Sequence, residues 1–588
     1  MKSNQSNQIT IGALLQSIKY NNVNMERYLG IVKIADELDV NVIFYVQGDR
    51  GEPENHNICN YFLKNKVQGL IISISEVYSN MNFTDLKQFY QSFNIPIVSL
   101  SEQWENCSNI LFDNYAGMRD VVKHLIDVHN MKKIFFLRGP QSHEIAQKRF
   151  QAYCDVMEEY GYYNDKLISL PVSWGIRDGT TSFNDLISGL EPGKDFEAIV
   201  SVNDHWAVEA SNRLQQLGIK IPEDVAVFGF NDTQDAKINI PPLSTVALPF
   251  RKQGELAVKK LVELIQGVSG VSDLVVPAKI VLRHSCGCGY LNINSSSQNL
   301  QQFEYQGRNL KKKIIQQIDQ ILSEENPHIE TRLGAKLLKT FLADINNESK
   351  NSFLGFLESK VTEWCQNEKQ FMAWQNVIII IRENLNVLTE SNQKETAERI
   401  LHQAGVHIGL TALRINENQT YWERDIIRLI SEFQSYLGNA FNQSELINLL
   451  NEFSPQVGVQ SCYIVFFEEP QPYIYPQQFP EWSRLILGYN RNRKIDCGPE
   501  GIRFPAKQLF LDEWLSYDIK YNMTYSPFFY KEYQFGYGIF EIPSHVHTVF
   551  RNLIQQIRSS LWGIYLFNQQ KHAEEYLTQQ TLQLSRSN

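Results

Sequence analysis

A chain of 588 residues is too long for one hydrophobic core, and its length suggests roughly three to five domains. Hydrophobic residues make up 43% and charged residues 20%, the mix of a soluble globular protein. A formal net charge of −10 argues against a large basic face for nucleic-acid phosphates, and the eight scattered cysteines form no disulfide framework.

The polar N-terminus leads into a short apolar strand from Ile9 to Leu15, too brief for a signal peptide. The longest apolar run, Val377 to Ile381, is stopped by Arg382, so no membrane contact and a cytoplasmic location are expected. A helix around Arg27 to Leu38 precedes a strand that ends in Gln47, Gly48 and Asp49. The alternation repeats with a helix near Cys59 to Lys64, a strand from Gly69, a helix near Leu86 to Phe93 and a strand from Ile95 to Ser101. This pattern predicts a doubly wound parallel sheet. Asp113 and Asn114 then close a strand, Gly117 opens a long helix, and a further helix carries Arg149. From Ala198 the text reads as a buried strand, the polar turn Asn203-Asp204, an amphipathic helix with Leu214 and Leu217 on one face, a Gly218 stop, and a second buried strand ending in Asn231 and Asp232. Polar groups at the carboxyl ends of parallel strands lie where open α/β folds bind ligands. Of the first pair, Asp204 is the expected helix cap and Asn203 the expected ligand contact.

Four motifs in this stretch carry a family resemblance: Asn203-Asp204 after a strand, Gly218 followed by Pro222 and Asp224, Gly229-Phe230-Asn231-Asp232, and Pro241-Pro242-Leu243-Ser244-Thr245-Val246. Together they resemble the sensor domain of LacI/GalR transcription regulators, of the type I periplasmic-binding-protein fold. Asn231 stands where the family usually has Asp, Ser244 where it has Thr, and Ala152 where it has Gly. The resemblance implies a ligand cleft after the first strand, near Tyr20, Asn21 and Asn22, with further contacts from Ser101, Arg149, Asn203, Asn231 and Phe250. A guanidinium fork at Arg149 suits a hydroxylated or carboxylated ligand, and its alternative is a surface ion pair. If Arg149 serves the ligand alone, removing it leaves the ligand-free fold nearly intact. An amide at Asn231 keeps one acceptor and loses the charge, so the ligand differs from a common hexose or is held by weaker polar bonds. Trp104, Trp174, Trp206 and Phe250 are either stacking walls for a ring or core. LacI-type regulators place a helix-turn-helix before the first strand, whereas eight residues stand there here, so no direct DNA binding is expected from this chain.

The first domain, 1–290, closes on Cys286-Gly287-Cys288, in a form that resembles this sensor when fused to signalling modules. Two thiols one residue apart make a poor metal site unless other ligands converge, so a reduced turn is expected, with no metal and no cofactor. Residues 291–302 read as a polar linker. The segment 303–453 is helical, with stripes at Leu310, Ile314, Ile318, Ile321 and at Ile426, Ile430, Phe433, Leu437, Phe441 that suit either a bundle or a dimerising stalk. Lys311 to Lys313 form a solvated face, and His402 and His407 are assigned no chemistry. Residues 454–567 read as strands followed by a helix and resemble a divergent GAF-type domain, while 568–588 resemble the coiled-coil linker that enters the kinase region of sensor histidine kinases. Leu553, Ile557, Leu561, Ile564, Leu577 and Leu584 suit a coiled-coil seam, although the stretch up to Leu566 equally suits packing on its own sheet.

The expected fold is α/β, two-lobed and doubly wound, followed by an all-α region and an α+β GAF-like domain. The expected function is a cytoplasmic sensor of a sugar, nucleoside or related small molecule in a LacI/GalR-like regulator or signal-transduction protein, acting as a homodimer on a downstream signalling or transcription partner. Its lobes would close about hinges near Asp113–Tyr115, Leu243–Pro249 and Pro277–Lys279. The alternatives are the input half of a histidine kinase and a solute-binding protein for transport. No phosphate loop, zinc-protease or serine-hydrolase motif stands in a credible context, so no enzyme is expected.

Overall fold

Short runs of β-branched residues that end in small polar side chains form parallel strands, and the amphipathic stretches between them form the covering helices. The computed structural model describes residues 8–15, 23–46, 67–73, 83–174, 183–187, 189–288, 308–325, 332–346, 352–365, 368–437, 440, 442–472, 480–491, 493–506, 508–509, 514, 520–530, 533–543 and 547–587. The expected contacts Tyr20, Asn21 and Asn22, the strand end Gln47 to Asp49, the helix near Cys59 and the linker 291–302 lie outside the described residues.

The first lobe begins with β1 (Thr10–Leu15), α1 (Val23–Glu37), β2 (Asn41–Val46), β3 (Gly69–Ser73), α2 (Phe83–Gln91), β4 (Ile97–Ser99) and β5 (Ser108–Phe112). The chain then crosses into a second lobe of α3 (Asn114–Asp127), β6 (Ile134–Leu137), α4 (Glu144–Glu159), β7 (Ala198–Ser201), α5 (Asp204–Gln216), β8 (Ala226–Phe228) and β9 (Thr245–Ala247). It returns with α6 (Phe250–Ile265) and β10 (Leu274–Val276), which pairs with β5, and crosses a third time to β11 (Lys279–Val281), which pairs with β9. Three crossings therefore join the lobes. Two glycines set the packing of α1 on α6: a Cβ on Gly30 would lie 2.0 Å from the Arg251 carbonyl oxygen, and one on Gly254 would lie 2.4 Å from that of Arg27. Only backbone-to-backbone contact fits there, and it brings Arg27 against Gln253.

The helical segment comprises α7 (Arg308–Glu325), α8 (Leu333–Ile345), α9 (Ser352–Trp364), α10 (Glu368–Glu383), α11 (Lys394–Leu437) and α12 (Gln443–Gln456). The C-terminal segment then adds β12 (Ser461–Pro472), β13 (Trp482–Asn490), β14 (Arg493–Ile495), β15 (Ile502–Pro505), β16 (Asn522–Tyr530), β17 (Tyr533–Glu541) and α13 (His547–Ser587). The chain forms two compact units, Met1–Tyr290 with Leu429–Asn588, and Leu291–Arg428. In the second unit Ile314, Ile318, Leu337, Phe341, Trp374, Val377 and Leu401 share one core, so the first of the two stripes is spent within the chain.

In the first unit the C-terminal strands continue the sheet of the first lobe. Parallel pairing of β2 with β16, in the register Asn522↔Val42 to Tyr525↔Tyr45, joins them into a sheet of 12 described strands. Alternation along the strands then feeds two cores: Ile11, Ala13, Leu15, Val42 and Phe44 face one, while Leu14, Ile43, Tyr45, Leu70 and Ile72 share the other with Tyr463, Val465, Tyr525 and Tyr537. The edge of β2, which would otherwise offer unpaired backbone groups, is covered. Leu553, Ile557, Leu561 and Ile564 of α13 are buried, and α13 packs against β16. Residues 568–581 of the helix are exposed, with Leu577 61% accessible. Among the described residues no helix is long and apolar enough to cross a membrane.

Because both segments draw on one core, Tyr525→Ala should cost roughly 3 kcal/mol. It should also speed hydrogen exchange at Val42, whose amide donates to the Tyr521 carbonyl at 3.2 Å. Unchanged exchange at Val42 in a variant with loosened β16 and β17 would mean that the two segments fold independently.

Candidate functional site

The segments that follow β5, β7 and β8 carry Asn114, Asn203 and Asn231, and the first and last of these converge on Arg149. The arginine lies on the inward face of α4 and is 3% exposed. Its Nε and Nη2 donate to Asn114 Oδ1 at 2.9 and 2.7 Å, Nη1 donates to the Val202 carbonyl at 2.5 Å, and Nη2 donates to Asn231 Oδ1 at 3.3 Å. The Phe230 ring lies 3.7 Å from the guanidinium carbon and the Trp174 ring 6.0 Å from it. These acceptors are neutral oxygens, and among the described residues no carboxylate is within hydrogen-bond reach. Burial pulls the pKa down to about 9, against the weaker opposing field of Asp204. One Nη1 hydrogen has no acceptor among the described residues. Arg149 is thus not the surface ion-pair partner that the alternative reading offered, and its fork ties α3 to the ends of β7 and β8.

Asn231 has φ 117° and Asp232 φ 57°, two consecutive side chains in the region that favours glycine. The turn is held by Asn231 N–H donating to the Val246 carbonyl at 2.8 Å and by Asp232 paired with Arg283 at 2.6 Å. Its effect is to aim the Asn231 amide at Arg149. The helix cap is Asn203 and not the expected Asp204. Asn203 Oδ1 caps α5 by accepting from Trp206 N–H at 3.0 Å, and its Nδ2 donates to the Trp174 carbonyl at 3.1 Å. Asp204 is buried and accepts from Thr245 Oγ1 at 2.6 Å and Thr233 N–H at 2.7 Å, which ties α5 to the β8 and β9 ends. Burial raises its pKa, and those two donors oppose the rise. Leu217, expected on the apolar face, is the exposed C-cap residue instead.

A second buried arginine faces the carboxyl edge of the first sheet. Arg27, in the first turns of α1, donates to Asn24 Oδ1 at 2.9 Å, Ser73 Oγ at 2.8 Å and Gln253 Oε1 at 2.8 Å, and stands 4.9 Å from the centre of the Phe250 ring. Burial lowers its pKa to about 9. Ser101 joins this group through Ser73, oxygen to oxygen at 3.2 Å, and Phe250 packs edge-on to Phe112 at 5.0 Å. Ser101 and Phe250 thus gather in the first lobe, and Arg149, Asn203 and Asn231 in the second. Trp104 and Trp206 are core, whereas Trp174 is partly buried beside Arg149. The sequence reading missed Arg27, Asn24 and Gln253, and the legible signal was an arginine on the apolar face of an early helix.

The two groups meet where Glu102 of the first lobe comes within 3.8 Å of His143, the residue before α4. Both are buried, and His143 Nδ1 has no hydrogen-bond partner among the described residues. Burial first, and the Arg149 charge second, lower the His143 pKa to about 4, so the imidazole is neutral at neutral pH. A separate groove of about 550 Å³ lies along the seam with the C-terminal strands. Its charges satisfy one another, Arg491 with Glu541 at 2.5 Å and Lys520 with Asp36 at 3.0 Å.

Residues 122–286 match the family described as periplasmic binding protein-like domain, which spans most of the second lobe and the returning segment. The chain is 26% identical over 205 residues to the ribose operon repressor of Bacillus subtilis, covering 35% of this chain and 59% of that protein. It is 25% identical over 250 residues to the lactose operon repressor of Escherichia coli, covering 42% and 67%. A solved structure of the lac repressor dimer bound to operator and an anti-inducer aligns over 48% of this chain and 82% of its own, at 23% identity and a TM-score of 0.40. The chain thus carries an α/β periplasmic-binding-protein-like domain with relatives among the LacI repressors, none of them named as an enzyme, and it spans 59% of the length of the Bacillus subtilis relative.

The buried neutral imidazole has a consequence for stability. The unfolded chain takes up a proton at His143 near the ordinary value, whereas the folded chain does so only near pH 4. This contribution is therefore complete above roughly pH 6.5 and is lost as the pH falls towards about 4. His143→Gln should flatten the unfolding free energy between those limits in denaturant titrations, and an unchanged slope would assign the acid sensitivity to other groups.

Proposed function

We propose that residues 1–290 form a sensor for a small, oxygen-rich molecule, a sugar, nucleoside or related compound, in a cytoplasmic LacI/GalR-type regulator or multidomain signalling protein. One observation carries this reading: Arg149 is a buried cation met only by neutral oxygens, and it keeps an N–H without an acceptor among the described residues. A buried guanidinium gains most from acceptors that a ligand brings, because water is excluded and each charge-assisted bond counts for more. The partly buried Trp174 beside it offers a face for a ring. Ligand binding between the Arg149 and Arg27 groups would draw the lobes together about the three crossings, shifting an existing equilibrium between open and closed forms. The strands that follow, which we read as a GAF-like module, share a sheet with the first lobe and so receive its displacement.

Thermal shift and calorimetry on the full chain, with panels of pentoses, hexoses, nucleosides and carboxylates, test the reading. One class should raise the melting temperature. Arg149→Lys, which keeps the charge but loses the fork, should weaken that ligand by roughly 1.5–3 kcal/mol. Asn231→Asp should change the order of preference within the panel. No stabilisation by any class, or equal affinity in all three proteins, would contradict the proposal.

The exposed half of α13 suggests how output is carried. Residues 568–581 are exposed along a continuous helix, and a lone polar helix of this kind is marginal without a partner. We infer that it pairs with its copy in a parallel homodimer. Leu577→Cys should then cross-link efficiently and in a ligand-dependent manner, whereas a monomer at all concentrations would remove this role.

A further inference from the structure

Four metal-ligating side chains from distant parts of the chain meet beside the last strand crossing. His124 lies in the last turn of α3 and His129 just beyond it, while Cys286 and Cys288 follow β11. Their ligand atoms all fall within 4.8 Å of one another. His129 Nε2 is 3.2 Å from His124 Nε2 and 3.2 Å from Cys288 Sγ, and Cys288 Sγ is 3.4 Å from His124 Nε2. In a tetrahedral site with metal–nitrogen bonds of about 2.0–2.1 Å and metal–sulfur bonds of about 2.3 Å, the edges between ligands come to roughly 3.3–3.8 Å. The three edges among His124, His129 and Cys288, at 3.2, 3.2 and 3.4 Å, are close to those lengths, and Cys286 Sγ lies within 4.8 Å of the other ligand atoms.

Hydrogen bonding accounts poorly for three mutual contacts. An imidazole nitrogen is either protonated, and only donates, or unprotonated, with one lone pair in the ring plane. Among two such nitrogens and a thiol, only two contacts can be well-directed hydrogen bonds, and the third is left over. Lone pairs converging on one point suit a cation instead. The backbone supports the arrangement: Gly287 adopts φ 97°, which turns the chain sharply between the two cysteines, and a Cβ there would meet His129 Cε1 at 3.3 Å. Ser244 Oγ donates to Cys286 Sγ at 3.0 Å, the kind of outer hydrogen bond that steadies a metal-bound thiolate.

We propose that His124, His129, Cys286 and Cys288 bind one zinc ion in a closed structural site. Binding releases the two thiol protons, so two thiolates and two neutral imidazoles offset the dication. Two sulfur and two nitrogen ligands in tetrahedral array select zinc over oxygen-seeking cations and leave no position for substrate. The ion would fasten residues 286–288 to the end of α3, so the last described residues of the second lobe are held at a fixed point. The sequence reading of a reduced turn did not include the histidines, which precede the cysteines by more than 150 residues.

The full chain, loaded with Zn²⁺ and desalted, should carry about one equivalent by elemental mass spectrometry, and Cys288→Ser and His129→Gln should each carry less than about a tenth. Neither variant removes the deeply buried Cys286. Substitution with Co²⁺ should give the intense visible bands of a tetrahedral ion and a thiolate-to-cobalt band in the wild type alone. Chelation should lower the melting temperature of the wild type and leave those of the variants unmoved. Zinc well below one equivalent in the wild type, equal zinc in the variants, or a Cys286–Cys288 disulfide in the intact mass would overturn the proposal.

Discussion

A guanidinium taken out of water must be met by oxygen, and in the second lobe Arg149 meets it from three elements at once. Asn114 opens α3 at the first crossing, Val202 ends β7, and Asn231 ends the β8 turn. None of these acceptors is charged, so the cation is held in place by four hydrogen bonds and left under-compensated electrostatically. The strain at Asn231 and Asp232 belongs to the same arrangement, since a relaxed backbone there would turn the amide away. Arg27 repeats the device in the first lobe with Asn24, Ser73 and Gln253. The two lobes also meet at a Glu102–His143 contact that is not an ion pair at neutral pH.

The second constraint is the pairing of β2 with β16. A periplasmic-binding-protein-like lobe normally needs its edge strand protected, and here strands some 480 residues later protect it while filling the second core. The C-terminal strands are therefore part of what holds the first lobe's sheet. A change in that lobe has a short mechanical route to α13 through β16, on which α13 packs. The charged contacts along the seam, Lys520 with Asp36 among them, are partly exposed and add little, so the apolar core dominates.

Much of the first unit was legible because its signals are local. Apolar runs ending in Asn or Asp marked β7 and β8, and the motifs around Gly218 and Pro241 pointed to the family resemblance before any geometry. The helix cap came out as Asn203 and not Asp204 because either side chain can accept from a helix N–H, and tertiary demand from Thr245 and Thr233 decided the matter. Arg27 was missed although it shares the apolar face of α1 with Ile31 and Ile34, because a long side chain on such a face can still carry its charge out to water. Its burial depends on Gly30 and Gly254 allowing two distant helices to touch. The gathering of His124 and His129 with Cys286 and Cys288, and the β2–β16 pairing, are products of topology that no window of sequence contains. The first half of α13 suits either a seam or its own sheet by sequence, and Tyr530 stacked on Trp562, with Tyr533 tilted against the same ring, belongs to the sheet solution.

On the proposed reading, a ligand draws the two lobes together. Pulsed electron-spin distance measurements between labels at the exposed residues Gln88 of the first lobe and Gln216 of the second read this directly. The account predicts a broad distance distribution without ligand that narrows and moves in one direction as a stabilising ligand saturates the protein, with the change lost in Arg149→Lys at the same concentration. A distribution that stays the same while a ligand demonstrably binds would contradict it.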